Sequence, residues 1–353
     1  MSFSMLGDNI LSSVLYIILA VFVLLLMVLI HELGHYTAGR ILKFKIEEFS
    51  VGFGKAIFSK TNKRGEKISL RIFPLGGYCA FKGEATEDGD KDPEAFVNQK
   101  PWKRMIVLFM GAFFNFLSAI LFSFILLVSF GYDIPVIETL SPDSINTNLQ
   151  KGDIIWEVND EKIDFAFNGT MKELIAKYKD EQGVTLTIER NGETLKEYCR
   201  FYDVANSDGT TARVIGIQSI SAYRHSFLQA LLRAVPMAAG FAWLVLKSLW
   251  LLITFQVPIT QIGGTVTTIS MMAEATSINI ANLFVFMPLI AANLAMFNLI
   301  PFPALDGAHI LFTGIEWIRK KPINRKVENM IHTVGLFVLL AFVVVVDIIH
   351  FVA

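Results

Sequence analysis

The chain has 353 residues, of which 53% are hydrophobic and 18% are charged. Soluble globular chains carry about 25% charged residues, so this composition excludes an ordinary soluble protein. The 31 basic and 32 acidic residues give a formal net charge of −1, which excludes a nucleic-acid binder because such proteins need a positively charged surface. The two cysteines, Cys79 and Cys199, are too few for a disulfide scaffold or a cysteine-rich zinc module.

Four long apolar segments predict membrane-spanning helices, since a helix needs about 20 apolar residues to cross the hydrocarbon. These segments contain no charged residue over long stretches. We therefore predict transmembrane helices at residues 10–40, 105–130, 278–318 and 333–353.

The charges of the remaining segments orient the chain, because cytoplasmic loops of membrane proteins carry an excess of Lys and Arg. Residues 40–104 contain 14 basic and 9 acidic residues, and residues 319–326 contain five basic residues and no acidic one. Residues 131–229 contain 10 basic and 16 acidic residues. We predict that residues 41–104 and the basic loop 319–332 lie in the cytoplasm. Residues 131–229 and both termini are then outside.

The two long polar segments predict β structure. Residues 41–104 contain short strand-like runs around a turn, followed by an acidic stretch at 84–94 that we interpret as a solvated linker. Residues 131–222 predict a small β-rich domain with one helix. In this domain Asn191-Gly192 separates two strand-like runs, and this dipeptide is the strongest short hairpin signal.

Residues 31–35 have the sequence HELGH, an HExxH motif at the end of the first apolar segment. Residues four apart share one face of a helix, so the imidazoles of His31 and His35 can bind one Zn²⁺ ion. Glu32 then lies next to the open coordination position, where it can deprotonate a zinc-bound water. The alternative is a pair of core histidines bonded to the backbone, but ionisable groups at a membrane helix end are costly without a function.

A catalytic zinc ion needs a third protein ligand. No His or Glu follows His35 as far as Arg40, and Asp306 is the outstanding carboxylate in the other apolar segments. We predict Asp306 as the third ligand. His309 is the second choice because it lies beyond Gly307.

The segment 223–277 contains an apolar run with one charge, Lys247, and this run is predicted to lie in the membrane interface. A fifth span here would reverse the late helix and move Asp306 away from the depth of His31 and His35. It would also place the basic loop outside, against the charge rule. We predict an amphipathic in-plane helix and a connector, with residues 256–264 approached from outside. Its narrow polar stripe consists of Arg233, Gly240, Lys247 and Thr254.

Together these motifs resemble the site-2 protease family, the intramembrane zinc metalloproteases of the peptidase M50 type. The HExxH motif in the first membrane helix is joined by NLIPFPALDG at 298–307, which is similar to the family's NxxPxPxLDG. Further similarities are FSVGFG at 49–54 and RIFPLGGY at 71–78. The run GDIIWEVN at 152–159 resembles the PDZ signature GDxIxxVNG, and bacterial members carry such domains between the second and third membrane helices.

The resemblance implies the fold class of a polytopic α-helical membrane protein. Its four transmembrane helices would be accompanied by a membrane-reentrant β-hairpin region and one inserted extracytoplasmic PDZ-like α+β domain. It also implies His31, His35 and Asp306 as zinc ligands and Glu32 as general base. Two positions depart from the family pattern, because Ala112 and Thr265 replace the prolines that commonly follow a glycine there.

The implied function is zinc-dependent cleavage of transmembrane segments of pre-trimmed single-pass membrane proteins, in regulated intramembrane proteolysis or in signal-peptide clearance. Asn298 and Asn115 are expected to bind the substrate, although interhelical contacts are nearly as good an explanation. The expected location is the bilayer of a bacterial cell membrane, with the active site near the cytoplasmic side and the PDZ-like domain outside. The alternative is a non-catalytic membrane scaffold with a PDZ peptide reader and a structural zinc ion.

Overall fold

A computed structural model describes residues 3–84, 92–205, 210–258 and 263–352. The chain divides into two compact units, one of Met1–Phe122 with Leu244–Ala353 and one of Ser123–Trp243. The helices are α1 (Phe3–Ile41), α2 (Pro101–Ser129), α3 (Met171–Lys177), α4 (Phe227–Ile253), α5 (Thr265–Ile278), α6 (Ile280–Asn298), α7 (Asp306–Arg319) and α8 (Arg325–Val352). The strands are β1 (Ile46–Thr61), β2 (Lys67–Phe81), β3 (Pro135–Leu140), β4 (Ile154–Val158), β5 (Glu161–Lys162), β6 (Gly183–Arg190), β7 (Glu193–Arg200), β8 (Tyr202–Ala205), β9 (Thr211–Val214) and β10 (Ile217–Ala222).

Five helices in the described part of the chain, α1, α2, α4, α6 and α8, are long and apolar enough to cross a membrane. Large apolar side chains such as Phe22 and Phe337 remain more than half exposed on these helices, as expected of surfaces that contact lipid. The chain is therefore a multi-pass membrane protein with an added β region. Because α4 is among the five helices, its in-plane position stays a prediction.

The range 278–318, for which the sequence predicts a single helix, consists of α6 and α7 separated by residues 299–305. Pro301 and Pro303 explain the interruption. Proline has no N–H to donate within a helix, and it disfavours the helical conformation of the residue before it. The break therefore allows Asp306 to begin a new helix instead of lying inside a continuous one.

The strands β1 and β2 are long and pair with each other in two registers. Phe49 pairs with Cys79 on one side and with Ile68 on the other, so the first part of β1 lies inside the sheet. Ser59 pairs with Ser69 farther along the hairpin. As a result, the last residues of β2 form an edge of this sheet. The strands predicted in residues 41–104 are confirmed by β1 and β2.

The unit Ser123–Trp243 contains a β domain with its own core. Its main sheet has the order β10-β3-β4-β6-β7, with β5 paired to β4, and β8 and β9 form a separate hairpin. Ile155, Leu186 and Ile188 are completely buried in the core. The predicted hairpin is confirmed, because Asn191 and Gly192 have φ of 55° and 82° between β6 and β7.

The buried carboxylates of Glu316 and Asp347 connect helices within the other unit. Glu316 in α7 accepts from Arg104 of α2 at 2.6 Å, and its second oxygen lies 2.8 Å from Arg325 of α8. Asp347, near the end of α8, accepts from the N–H and hydroxyl groups of Thr267 at 3.0 and 2.8 Å. The carboxylate thus caps the first turn of α5, where side-chain oxygens satisfy N–H groups that have no partner within the helix.

Candidate metal centre

The helix α1 places His31 and His35 on one face, one turn apart. Both side chains are buried, and their Nε2 atoms lie 3.1 Å apart. The rings meet edge to face, with centroids 4.7 Å apart and planes at 87°. This arrangement aims two ring nitrogens at one point, as the sequence predicts from the i, i+4 spacing.

A backbone carbonyl determines which nitrogen of His35 can bind an ion. His35 Nδ1 lies 2.8 Å from the carbonyl oxygen of Val107 in α2. An N–H at Nδ1 donates to this oxygen, which leaves the lone pair of Nε2 directed toward His31. Metal-binding histidines commonly have their outer nitrogen fixed in this way. Nothing in the sequence distinguishes Val107, since every residue has a carbonyl.

Asp306, the first residue of α7, brings a carboxylate to the two imidazoles. Its Oδ2 lies 3.1 Å from His31 Nε2 and 3.3 Å from His35 Nε2. Ligand atoms bound to one tetrahedral zinc ion at 2.0–2.1 Å are about 3.3–3.4 Å apart. The spacing and the donor set of two nitrogens and one oxygen therefore fit a zinc ion with three protein ligands.

The segment before Asp306 approaches the start of α7 closely. A Cβ atom on Gly307 would lie 2.4 Å from the carbonyl oxygens of both Leu299 and Ile300. Only glycine fits this approach, which explains the glycine of the LDG motif in physical terms.

The crossing of α1 and α2 also depends on two glycines. A Cβ on Gly34 would lie 2.2 Å from the carbonyl oxygen of Met110. A Cβ on Gly111 would lie 2.5 Å from His35 Nε2 and 2.7 Å from His31 Cε1. The backbone of α2 thus forms one wall of the centre directly against both rings. This contact depends on Gly111 itself and not on the residue that follows it, which is Ala112 in this chain.

We expect the Gly111→Ala variant to lose zinc, because the added methyl group would overlap both rings and force them apart. Such overpacking costs about 1–3 kcal/mol. Zinc content and thermal unfolding of the purified variant measure the effect. Gly314→Ala in α7 is the matched control, since in the described residues no atom outside the adjoining turns of α7 lies within 4 Å of its added Cβ. Normal zinc content in Gly111→Ala would contradict the close contact.

A cavity of about 560 Å³ opens beside the three ligand atoms. Glu32 lines it, and so do Asn115 and Asn298, as well as residues 78–81 at the end of β2. Glu84 also lines this cavity, although the sequence places it in a solvated acidic linker. Residues 85–91 of that linker lie outside the described residues.

The two asparagines predicted to bind substrate both face the outer nitrogen of His31. The Nδ2 atoms of Asn115 and Asn298 lie 3.3 and 3.4 Å from His31 Nδ1. Asn115 is completely buried, whereas Asn298 is partly exposed. Because one ring nitrogen makes one hydrogen bond in the ring plane, the two amides compete for it.

His309, the second choice for the third ligand, lies elsewhere. Its ring stacks on that of His332 in α8, with centroids 3.7 Å apart. Its Nδ1 is 3.9 Å from a carboxylate oxygen of Glu328. The structure therefore brings Asp306, and not His309, to the two histidines of α1.

Comparison with known proteins identifies the family of the chain. The model of the family described as peptidase family M50 matches residues 19–342. A Helicobacter pylori (strain J99) protein, provisionally named a zinc metalloprotease, is 32% identical over 337 residues, covering 90% of this chain and 94% of its own. A Clostridium perfringens protein with the same provisional designation is 29% identical over 338 residues, covering 95% of this chain and 98% of its own. The chain belongs to peptidase family M50.

Proposed function

We propose that this M50 metalloprotease is a zinc-dependent intramembrane endopeptidase. Its substrates would be the transmembrane segments of pre-trimmed single-pass membrane proteins, or signal peptides left in the bilayer. One observation carries the proposal: Nε2 of His31, Nε2 of His35 and Oδ2 of Asp306 converge beside a cavity that Glu32 also lines. The two histidines belong to an apolar helix long enough to span a membrane.

His31, His35 and Asp306 would hold the zinc ion, and three protein ligands leave a fourth position for water, as in catalytic zinc sites. When bound, the ion polarises the scissile carbonyl and makes its water a nucleophile at neutral pH. The hydrogen bond between His35 Nδ1 and the Val107 carbonyl keeps the ligand nitrogen, Nε2, directed at the centre. A site of this kind differs from a structural zinc site, which is closed by four protein ligands.

Glu32 is the general base of the proposed reaction. It would accept the proton of the attacking water and donate it to the leaving amine, a role worth about 10²–10⁴-fold in rate. Its side chain packs beside Gly77 of β2, and its carboxylate accepts a hydrogen bond from the backbone N–H of Cys79 in the same strand. This packing limits the positions that the carboxylate can adopt beside the centre.

Asn115 and Asn298 would have different roles in the proposed reaction. Asn115 is completely buried beside His31, with Nδ2 directed at His31 Nδ1. If its amide turns over, Oδ1 takes that place and can accept the Nδ1 proton of this ligand. Asn298 is partly exposed at the end of α6 and lines the cavity. Its amide is therefore available to backbone groups of a substrate.

The edge of the β1–β2 sheet offers a way to open a helical substrate. A membrane helix hides its carbonyls in hydrogen bonds between residues i and i−4, so it must unwind before hydrolysis. Residues 78–81 line the cavity, and in the described part of the chain β2 has β1 as its sheet partner. An extended substrate segment could pair with this edge, since added strands bind through main-chain hydrogen bonds. It would displace the Glu84 carboxylate, which accepts from the Phe81 N–H at 3.1 Å.

The membrane topology we propose has four spans, with α4 in the outer interface and the basic loop 319–332 in the cytoplasm. The short helix between α4 and α6 supports this number. If α4 crossed the membrane inward, α5 would have to bring the chain back to the outer side before α6 begins. However, α5 has only 14 residues. Such a helix is about 21 Å long, against about 30 Å of hydrocarbon.

Contacts of α4 modify the predicted role of its polar stripe. Arg233 lies 2.8 Å from His225 Nε2 and over the ring of Trp156 at 5.3 Å. A Cβ on Gly240 would lie 2.9 Å from the Ala166 side chain. The first half of the stripe thus packs on the β domain, whereas a helix in the membrane interface is expected to turn its polar stripe to the lipid headgroups.

Labelling of the Gln261→Cys variant tests the four-span topology. Residue 261 follows α4 and lies outside the described residues. We expect an impermeant thiol reagent to reach it from outside in intact cells, because α4 would not carry it across the membrane. Ser59→Cys in the β1–β2 hairpin is the control, and it should react after the membrane is opened. Labelling of residue 261 from the cytoplasm alone would contradict the four-span topology.

We further propose that the domain of residues 131–222 is a PDZ-like size filter on the outer side. Its compact hydrophobic core and five-strand path support an autonomous domain. A filter in this position would admit substrates whose outer portion has already been removed.

The proposed function as a whole is tested by membrane proteomics. We expect short transmembrane fragments to accumulate in cells that carry Glu32→Gln in place of the unchanged chain, since their trimming continues and their final cleavage stops. Glu274→Gln, at an exposed carboxylate of α5, is the matched control. Equal fragment populations in the two strains would favour the scaffold alternative.

A further inference from the structure

The residue two positions before Asp306 has an unusual backbone conformation. Ala304 has φ of 82°, which is the left-handed region that non-glycine residues adopt at a cost. Its N–H donates to Nδ1 of His332 in α8 at 3.0 Å. The side chain of His332 is buried. A buried hydrogen bond from another helix therefore accompanies the strained turn that delivers the carboxylate.

His332 also contacts the chain on the other side of Asp306. Its ring stacks on His309, three residues after Asp306, with planes 8° apart. One turn farther along α8, a Cβ on Gly335 would lie 2.3 Å from Pro303 Cβ. The helix α8 thus packs closely on both flanks of the carboxylate.

A second metal site is the rival explanation, because His309, Glu328 and His332 offer ligand atoms within 4.8 Å of one another. The hydrogen bond of Ala304 argues against it. A neutral imidazole that accepts at Nδ1 carries its proton on Nε2, so no lone pair is left for an ion. The parallel rings also aim their in-plane nitrogens side by side instead of at one point.

The carboxylate of Glu328 is engaged as well. One oxygen accepts from Arg325 at 2.6 Å. A cation at this place would therefore compete with an arginine that is already bound. The three side chains are better explained as a structural cluster around the turn than as a ligand set.

We propose that His332 is a positioning residue for the metal centre: it stabilises the left-handed turn at Ala304 and thereby keeps Asp306 directed at His31 and His35. This inference rests on the proposed function, since it takes Asp306 to be a zinc ligand. His332 itself touches neither the metal nor the substrate.

The test measures zinc affinity of the purified full chain by competition with a chelator. We expect His332→Ala to weaken zinc binding about 10–100-fold, as outer-shell substitutions at metal sites do. His332→Asn should keep most of the affinity, because its Oδ1 can accept from Ala304. In the Ala304→Gly background, His332→Ala should cost less, since glycine adopts the left-handed conformation without strain.

Three results would overturn the inference. One is unchanged zinc affinity in His332→Ala, even with a lowered melting temperature, because that would show a merely structural role. Another is an equal loss with and without Ala304→Gly. The third is a wild-type chain that binds two zinc ions and a His332→Ala chain that binds one, which would establish the second metal site. Failure of the proposed function has a different signature, namely an Asp306→Ala chain that keeps its zinc.

Discussion

Replacing Glu32 by Gln is expected to reduce peptide-bond cleavage by about 10²–10⁴-fold, the usual contribution of a general acid–base group, while zinc content stays unchanged. Glutamine has nearly the same shape, so it can occupy the space beside Gly77. It cannot accept the proton of the attacking water. The measurement combines cleavage of a single-pass membrane peptide in detergent or bilayers with metal analysis of the same preparation.

The control for this experiment is Glu274→Gln, which makes the same chemical change at an exposed position of α5. Its activity and zinc content should equal those of the unchanged chain. Full activity in Glu32→Gln would remove Glu32 from the proposed mechanism. Loss of zinc in that variant would instead indicate that the carboxylate is part of the ligand set.

Asp306→Ala is expected to empty the metal centre. The substitution leaves two imidazole ligands, and their Nε2 atoms, which lie 3.1 Å apart, then lack the oxygen that completes the triangle. Zinc bound per chain, measured after dialysis against a weak chelator, should fall from one equivalent to a small fraction. Cleavage should fall with it, because the metal-bound water is lost.

Asp143→Ala, at an exposed carboxylate of the β domain, is the matched control and should keep its zinc. Retention of zinc by Asp306→Ala would show that the third ligand lies elsewhere. His309 would then be the next residue to test, although its ring stacks on that of His332 in this structure.

The ligand residues could be predicted from the sequence because each depends on one simple relation. His31 and His35 follow from helical periodicity, which places residues i and i+4 on one face. Asp306 follows from the cost of a carboxylate in an apolar segment. In the structure, the carboxylate lies within 3.3 Å of both imidazoles. These relations are local or energetic, and they need no knowledge of the tertiary packing.

The groups that support the ligands could not be predicted, because they depend on tertiary contacts. Val107 contributes a carbonyl, and Gly111 contributes the absence of a side chain. Neither feature leaves a pattern in the sequence. His332 did leave a signal, since it is an ionisable residue at the start of an apolar helix. Its partner Ala304, however, is visible only in the folded backbone.

The β domain illustrates a similar limit. Its hairpin at Asn191-Gly192 was predictable because the turn type requires these residues. The run at residues 213–219 is typical of one strand, whereas the structure divides it between β9 and β10. Gly216, with φ of 87°, lies between the two strands. A single glycine is found both inside continuous strands and between two strands. The sequence pattern alone therefore does not predict whether this run forms one strand or two.

The position of the ligands along the chain also determines when the centre can form. His31 and His35 belong to the first helix, and Asp306 follows roughly 270 residues later. At a synthesis rate of about 5–20 residues per second, roughly 15–55 s separate the two histidines from the carboxylate. A nascent chain that has already inserted its first helix therefore lacks the complete ligand set throughout this interval. The proposed protease would gain its hydrolytic centre only when its late helices have been made, so translation itself delays activity.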